Sequence, residues 1–136
     1  MKTFLIVGID PNSIDFSGPN TPPGMTAEKL SAEVEESRRE FAGQGDRADL
    51  CEIKLDDSAG TRVSQQLARS KYDCILIGGG LRPDGSIRVL ERIINAIHQH
   101  APEAAIGFLK LPRDAIAAAD RVLSRDFKDA GLLSPS

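Results

Sequence analysis

Four apolar runs alternate with four helical patterns, and this alternation constrains the fold more than any other feature of the chain. Residues 3–9, TFLIVGI, form a near-continuous apolar run, as a strand covered on both faces requires. Residues 50–55, LCEIKL, alternate instead. Cys51, Ile53 and Leu55 share one side and Glu52 and Lys54 the other, the pattern of an edge strand. Residues 73–77, DCILI, are apolar again and read as a central strand. Residues 104–109, AAIGFL, make the fourth run.

The intervening segments carry helical periods. Thr26 is placed to cap a helix reaching Phe41, with Leu30, Val34 and Phe41 on one stripe and Gly43 and Gly45 ending it. Ser58–Ser70 is a shorter helix with Val63 and Leu67 inward, capped by Asp57 or Ser58. A third helix opens at Asp84 or Ser86 and runs to His100, its apolar face formed by Ile87, Leu90, Ile93, Ile94 and Ile97. Pro112 suits the first turn of a fourth, with Ile116, Ala119, Val122, Leu123 and Phe127 inward and Gly131 as its stop.

Strand–helix alternation with short connections predicts a parallel sheet with right-handed crossovers. The edge character of the second strand puts the first strand inside it. The expected fold is therefore an α/β three-layer sandwich: a four-stranded parallel sheet of order 2-1-3-4, flavodoxin-like or half-Rossmann. At 136 residues the chain makes a single domain, residues 1–130, with 131–136 as a C-terminal tail. In this arrangement the fourth strand is an apolar edge, and apolar edges invite pairing. Either the C-terminal helix and tail, with Leu132 and Leu133, cover it, or a second subunit does; the expectation is a homodimer through this edge.

Charge and composition narrow the partners. The net charge is −3 with basic residues scattered among acids, so no nucleic-acid footprint is legible. With no Trp, one Tyr and five Phe, base-stacking platforms are not expected. No apolar run is long enough for a membrane span. The opening MKTFLIVGIDP reads as a strand rather than a signal peptide, and two cysteines without an export signal point to a cytoplasmic setting.

Ligands of open α/β sheets bind beyond the carboxyl ends of the strands where the order reverses, here after strands one and three. Both loops are unusual. Residues 10–25, DPNSIDFSGPNTPPGM, span 16 positions with four prolines and two glycines, where roughly two to six residues are normal. One reading is a recognition loop using Asp10, Asn12 and Asp15. The other is a packed surface loop in which Asp10 takes backbone N–H bonds. Residues 78–85 read GGGLRPDG. Gly78, Gly79 and Gly80 allow a close backbone approach to an anionic ligand or nucleotide, and Arg82 can pair an anion in bidentate fashion. A dinucleotide fingerprint fails because Pro83 stands at the sixth position, and a P-loop fails for want of a lysine before Ser86. The alternative is a tight packing corner with Asp84 as cap. No cofactor is specified by these residues.

The stretch YDCILIGGGLRPDGSIRVLERI resembles the third strand and helix of a response-regulator receiver domain. The receiver's phospho-acceptor Asp falls at Gly78 or Gly79, its acidic pair near Gly8, Ile9 and Asp10, and no hydroxyl residue follows Leu109, so the resemblance implies a degenerate relative. A wider resemblance, to a set of small uncharacterised bacterial proteins of flavodoxin-like fold, runs through Gly8–Pro11, Pro22–Lys29, Tyr72–Arg82, Ile94–Asn95, His98 and Ala101–Pro102. It implies the fold and carries no activity.

Other chemistry is weaker. Cys51 and Cys74 sit on strands separated by strand one, about 10 Å apart, too far for a disulfide. His98 and His100 end helix three at the far edge from the loops. Glu91, Asn95 and His98 share a stripe, read as a solvated face or a subunit contact. Asp10 with Asp56-Asp57 would suit Mg²⁺, but Asp57 or Ser58 as a helix cap explains the pair better. The expected function is thus a non-catalytic α/β module acting in protein interaction or self-association, with anionic-ligand binding as the alternative.

Overall fold

The first strand, β1 (Thr3–Ile9), is covered on both faces and organises the molecule. The computed structural model describes residues 1–17, 23–78 and 87–123. β1 pairs in parallel with β2 (Arg47–Ile53) on one side and β3 (Cys74–Ile77) on the other, and β3 pairs with β4 (Ala105–Phe108). The sheet order is β2-β1-β3-β4, as the strand patterns predict.

β2 begins three residues before the alternating stretch and ends two residues before Leu55, which is 49% exposed. The reason is pairing. All seven residues of β1 find partners in β2, from Thr3 with Arg47 to Ile9 with Ile53. An edge strand tolerates Arg47 and Asp49 at its start because one side of it meets water.

Successive residues of each strand feed opposite layers. Leu5, Val7, Cys51, Ile53, Ile75 and Ile77 face α2 (Ser58–Arg69) and α3 (Ile87–His100). Phe4, Ile6, Ala48, Cys74 and Leu76 face α1 (Ala27–Gly43) and α4 (Ala115–Leu123). The two cysteines therefore lie on opposite faces of the sheet, a firmer bar to a disulfide than strand spacing alone.

Helix ends follow local chemistry. Thr26 Oγ1 accepts from the Lys29 N–H at 3.2 Å, and Gly45, at φ +84°, turns the chain after α1. The cap of α2 differs from expectation. Asp57 makes no side-chain capping bond; Asp56 Oδ1 accepts from the Ser58 N–H at 2.8 Å and from the Ser58 hydroxyl. Asp57 instead reaches Arg92 on α3 at 3.5 Å. Pro112 opens a 3-10 turn, Pro112–Asp114, that leads into α4. The Ser37 hydroxyl, buried on α1, donates to the Pro112 carbonyl at 2.6 Å and ties the turn to the helix.

The buried face of α3 is rotated from the expected one. Val89, Ile93, Ala96 and Ile97 are buried, Leu90 and Ile94 are half-buried, and Ile87 is 61% exposed. Packing on α2 sets this rotation. A Cβ on Gly60 would lie 3.4 Å from Arg92 Cβ, so α2 and α3 approach closely on the Arg92 side. Phe127, Gly131, Leu132 and Leu133 lie outside the described residues.

Candidate functional site

The order of the sheet reverses between β1 and β3, so a crevice opens at their carboxyl ends. Gly8 and Gly78 lie side by side there. The Gly78 N–H donates to the Val7 carbonyl at 2.8 Å, and a Cβ on Gly78 would come within 3.2 Å of that oxygen. Gly78 thus has a packing reason to be glycine. At Gly8 no described atom lies within 4 Å of where a Cβ would stand. Gly79, Gly80 and Arg82 lie outside the described residues.

Asp10 continues the β1–β2 ladder, its N–H donating to Ile53 O at 2.8 Å. Its carboxylate accepts from the Asn12 N–H at 3.0 Å, and its carbonyl accepts from the Ser13 N–H and hydroxyl. Asp10 therefore caps the 3-10 turn Pro11–Ser13, the packed-loop arrangement. Asn12 is exposed and takes part through its backbone. Asp15 Oδ1 accepts from the Ser17 N–H at 3.0 Å and the Ser17 hydroxyl at 2.5 Å, which holds its carboxyl below the usual carboxylate range.

Glu52, on β2 beside Gly8 in the register, adds a further acid at this end. Burial pushes its carboxyl up, and the charge of Asp10 pushes it further, against the pull of Arg62. An anion entering beside Gly8 would meet both acids. Asp56 is held below the usual carboxylate range by its two bonds from Ser58 and the charge of Lys54. Among the described residues, no group of three or more His, Cys, Asp or Glu side chains is placed to hold a metal ion.

Burial pushes the Cys74 thiol up to about 12, with the charge of Asp73 adding to it. Burial also raises Cys51, partly offset by Arg62 and Arg69. Unfolded thiols ionise near pH ~8.5, so above that pH the unfolded chain holds fewer protons than the folded one. Stability is unaffected by Cys74 at lower pH and falls as pH rises between about 9 and 12, by up to ~1.4 kcal/mol per unit, with Cys51 acting in the same direction. Denaturant midpoints from pH 8 to 11 should show this decline, and Cys74→Ala should flatten it; an equal decline in the variant would contradict the assignment.

The two sheet edges differ in a way that sequence patterns do not show. In β2 the Arg47 N–H bonds Lys2 O and Ile53 O accepts from Asp10, so odd residues face β1 and Ala48, Leu50 and Glu52 turn outward. Arg38 Nε from α1 donates to Ala48 O at 2.9 Å, and Arg62 Nε from α2 donates to Glu52 O at 3.2 Å. Two of three outward carbonyls are thus occupied by guanidiniums, and Arg47, Asp49 and Glu52 charge the strand itself.

β4 is built from Ala, Ile, Gly and Phe. The Ala105 N–H bonds Asp73 O at 3.0 Å and the Leu109 N–H bonds Ile77 O at 2.8 Å, so odd residues face β3 and Ile106 and Phe108 turn outward. Arg121 from α4 donates to Phe108 O at 3.2 Å. Ile106 turns its N–H and carbonyl to the outer side of β4, where neither bonds any of the described residues. Phe108 is 38% exposed and Ile106 half-buried. No helix among the described residues is long and apolar enough to cross a membrane. No protein-family model matches the chain, and no curated protein matches it.

Proposed function

We propose that this chain is a small α/β association module that works by docking protein on the β4 edge rather than by turning over a substrate. The observation that carries the reading is the contrast between the edges: β2 is charged and has two carbonyls covered by Arg38 and Arg62, whereas β4 is uncharged and offers Ile106. Uncovered strand edges are templates for another chain, and an apolar edge adds burial to hydrogen bonding. The residues at the switch point fit this reading. Asp10, Asp15 and Asp56 each accept from neighbouring backbone and hydroxyl groups in tight turns, and both thiols are buried. The other reading, a small anionic ligand or nucleotide in the loops after β1 and β3, is disfavoured by Asp10 and Glu52 at that end.

Sedimentation across a concentration series tests the proposal. The parent chain should self-associate, and Phe108→Lys should weaken association at least tenfold by placing a charge at the seam. Arg121→Ala frees a carbonyl that pairing through Ile106 does not use, and should leave association unchanged. Identical behaviour of the parent and both variants would overturn the reading.

A further inference from the structure

We infer that the partner at this edge is a second copy of the chain, related by a two-fold axis that sets β4 antiparallel to β4 and α3 antiparallel to α3, with Glu91 of each copy facing the partner's His98. This rests on β4 being the docking edge and adds the occupant and its orientation.

The first step is the shape of α3. Its Arg92 side is occupied by α2, through Gly60 and Asp57. At ~100° per residue, Leu90, Ile94, Ile87 and His98 fall on the side away from α2, with Glu91 at the solvent margin of that side. That side flanks β4: α3 connects β3 to β4, and Leu90 and Ile94 pack, as Ile106 of β4 does, against the core cluster that holds Ile75 and Ile77. Ile87 is 61% exposed, and Leu90 and Ile94 are half-buried. Among the described residues, the helix stripe and the strand edge with Ile106 and Phe108 are the apolar groups on this flank.

Spacing fits a two-fold pair. Adjacent strands lie ~4.8 Å apart, and an α3 axis over the groove between β3 and β4 would stand about half a strand inside the edge. Joining β4 to β4 would then put the two α3 axes about 10 Å apart, the packing distance of helices. Strand pairing and helix packing are satisfied together. With the axis near Ile106, its N–H and carbonyl exchange bonds with the same groups of the partner, and the Arg121 cap on Phe108 O stays in place.

Polar complementarity selects a second copy. Glu91 and His98 are exposed on the stripe, seven residues apart, and neither joins an ion pair among the described residues. In an antiparallel helix pair centred beside Ile94, Glu91 meets the partner's His98 and His98 meets the partner's Glu91. The same arrangement sets Ile94 near the partner's Ile94. An identical surface supplies each acid with its base twice, as a two-fold interface requires.

The test is a charge exchange at fixed neutral pH, read by sedimentation equilibrium, with thermal melts confirming that each variant folds. His98→Glu sets carboxylates against each other twice and should weaken the dimer at least tenfold. Adding Glu91→Lys to His98→Glu should restore it to within a few-fold of the parent. A parent that stays monomeric at every concentration overturns the inference. A dimer broken by Phe108→Lys yet indifferent to both helix variants also overturns it, while leaving β4 as the docking edge. A dimer indifferent to Phe108→Lys removes the docking edge itself.

Discussion

Phe41→Ala should lower the melting temperature by roughly 10 °C or more, through a loss of about 3–5 kcal/mol. Phe41 is 1% exposed and is the largest side chain that α1 buries. Its ring stacks on Phe4 of β1 with centroids 4.4 Å apart and planes at 26°. The α1 face is otherwise thin: its other buried residue is Ser37. Removing the ring therefore takes away most of the apolar contact that holds α1 to the sheet, and α1 has no larger neighbour to fill the space. Chemical denaturation with a measured slope checks the value. A loss below about 1 kcal/mol would mean that α1 is held by other contacts, such as the Ser37 bond to Pro112.

Leu76→Ala and Gly107→Ala should each destabilise the chain and should partly cancel when combined. Leu76 is fully buried on β3, and its loss alone is expected to cost about 2–5 kcal/mol. A Cβ on Gly107 would stand 2.9 Å from Leu76 Cδ2, 3.5 Å from Val122 Cγ2 and 3.6 Å from Ala118 O. The neighbours of Gly107 must shift to admit a methyl, at about 1–3 kcal/mol. In the double variant the new methyl enters the space that Leu76 leaves. The combined loss should fall short of the sum of the single losses by a measurable coupling energy. Strict additivity would show that α4 moves away from β4 instead of pressing Gly107 against Leu76.

These contacts show what was legible in the chain and what was not. The sheet order could be read because TFLIVGI is apolar throughout while LCEIKL alternates, and burial on two faces or one is a local property of a strand. The face of α3 could not. Ile87, Val89, Leu90, Ile93, Ile94, Ala96 and Ile97 are half of the 14 residues of α3 and span ~180° of its surface, so periodicity does not say which part meets the sheet. α2 decides it through Gly60 and Arg92, a contact between residues 32 positions apart. The surplus apolar stripe is the sequence trace of the proposed interface. The cap of α2 was ambiguous for a simpler reason: Asp56, Asp57 and Ser58 are all capping residues, and only backbone geometry selects Asp56.

The candidate site was legible in part. The switch point, the long loop after β1 and the local turn made by Asp10 follow from strand order and turn chemistry. The arginines that cover the strand edges do not. Arg38, Arg62 and Arg121 read as ordinary helix-surface charges, and their bonds to Ala48, Glu52 and Phe108 depend on how each helix lies against its strand. What could be read was the strand composition: β2 carries charges at its edge and the AIGF run carries none.

Amide exchange at Ile106 reads the occupancy of the β4 edge. Its N–H turns away from β3 and would be covered when two copies join. Ile106 exchange should slow as protein concentration rises, while the outward amide of Leu50 on β2 is unchanged. Exchange at Ile106 that is independent of concentration, in a chain that sediments as a monomer throughout, would contradict it.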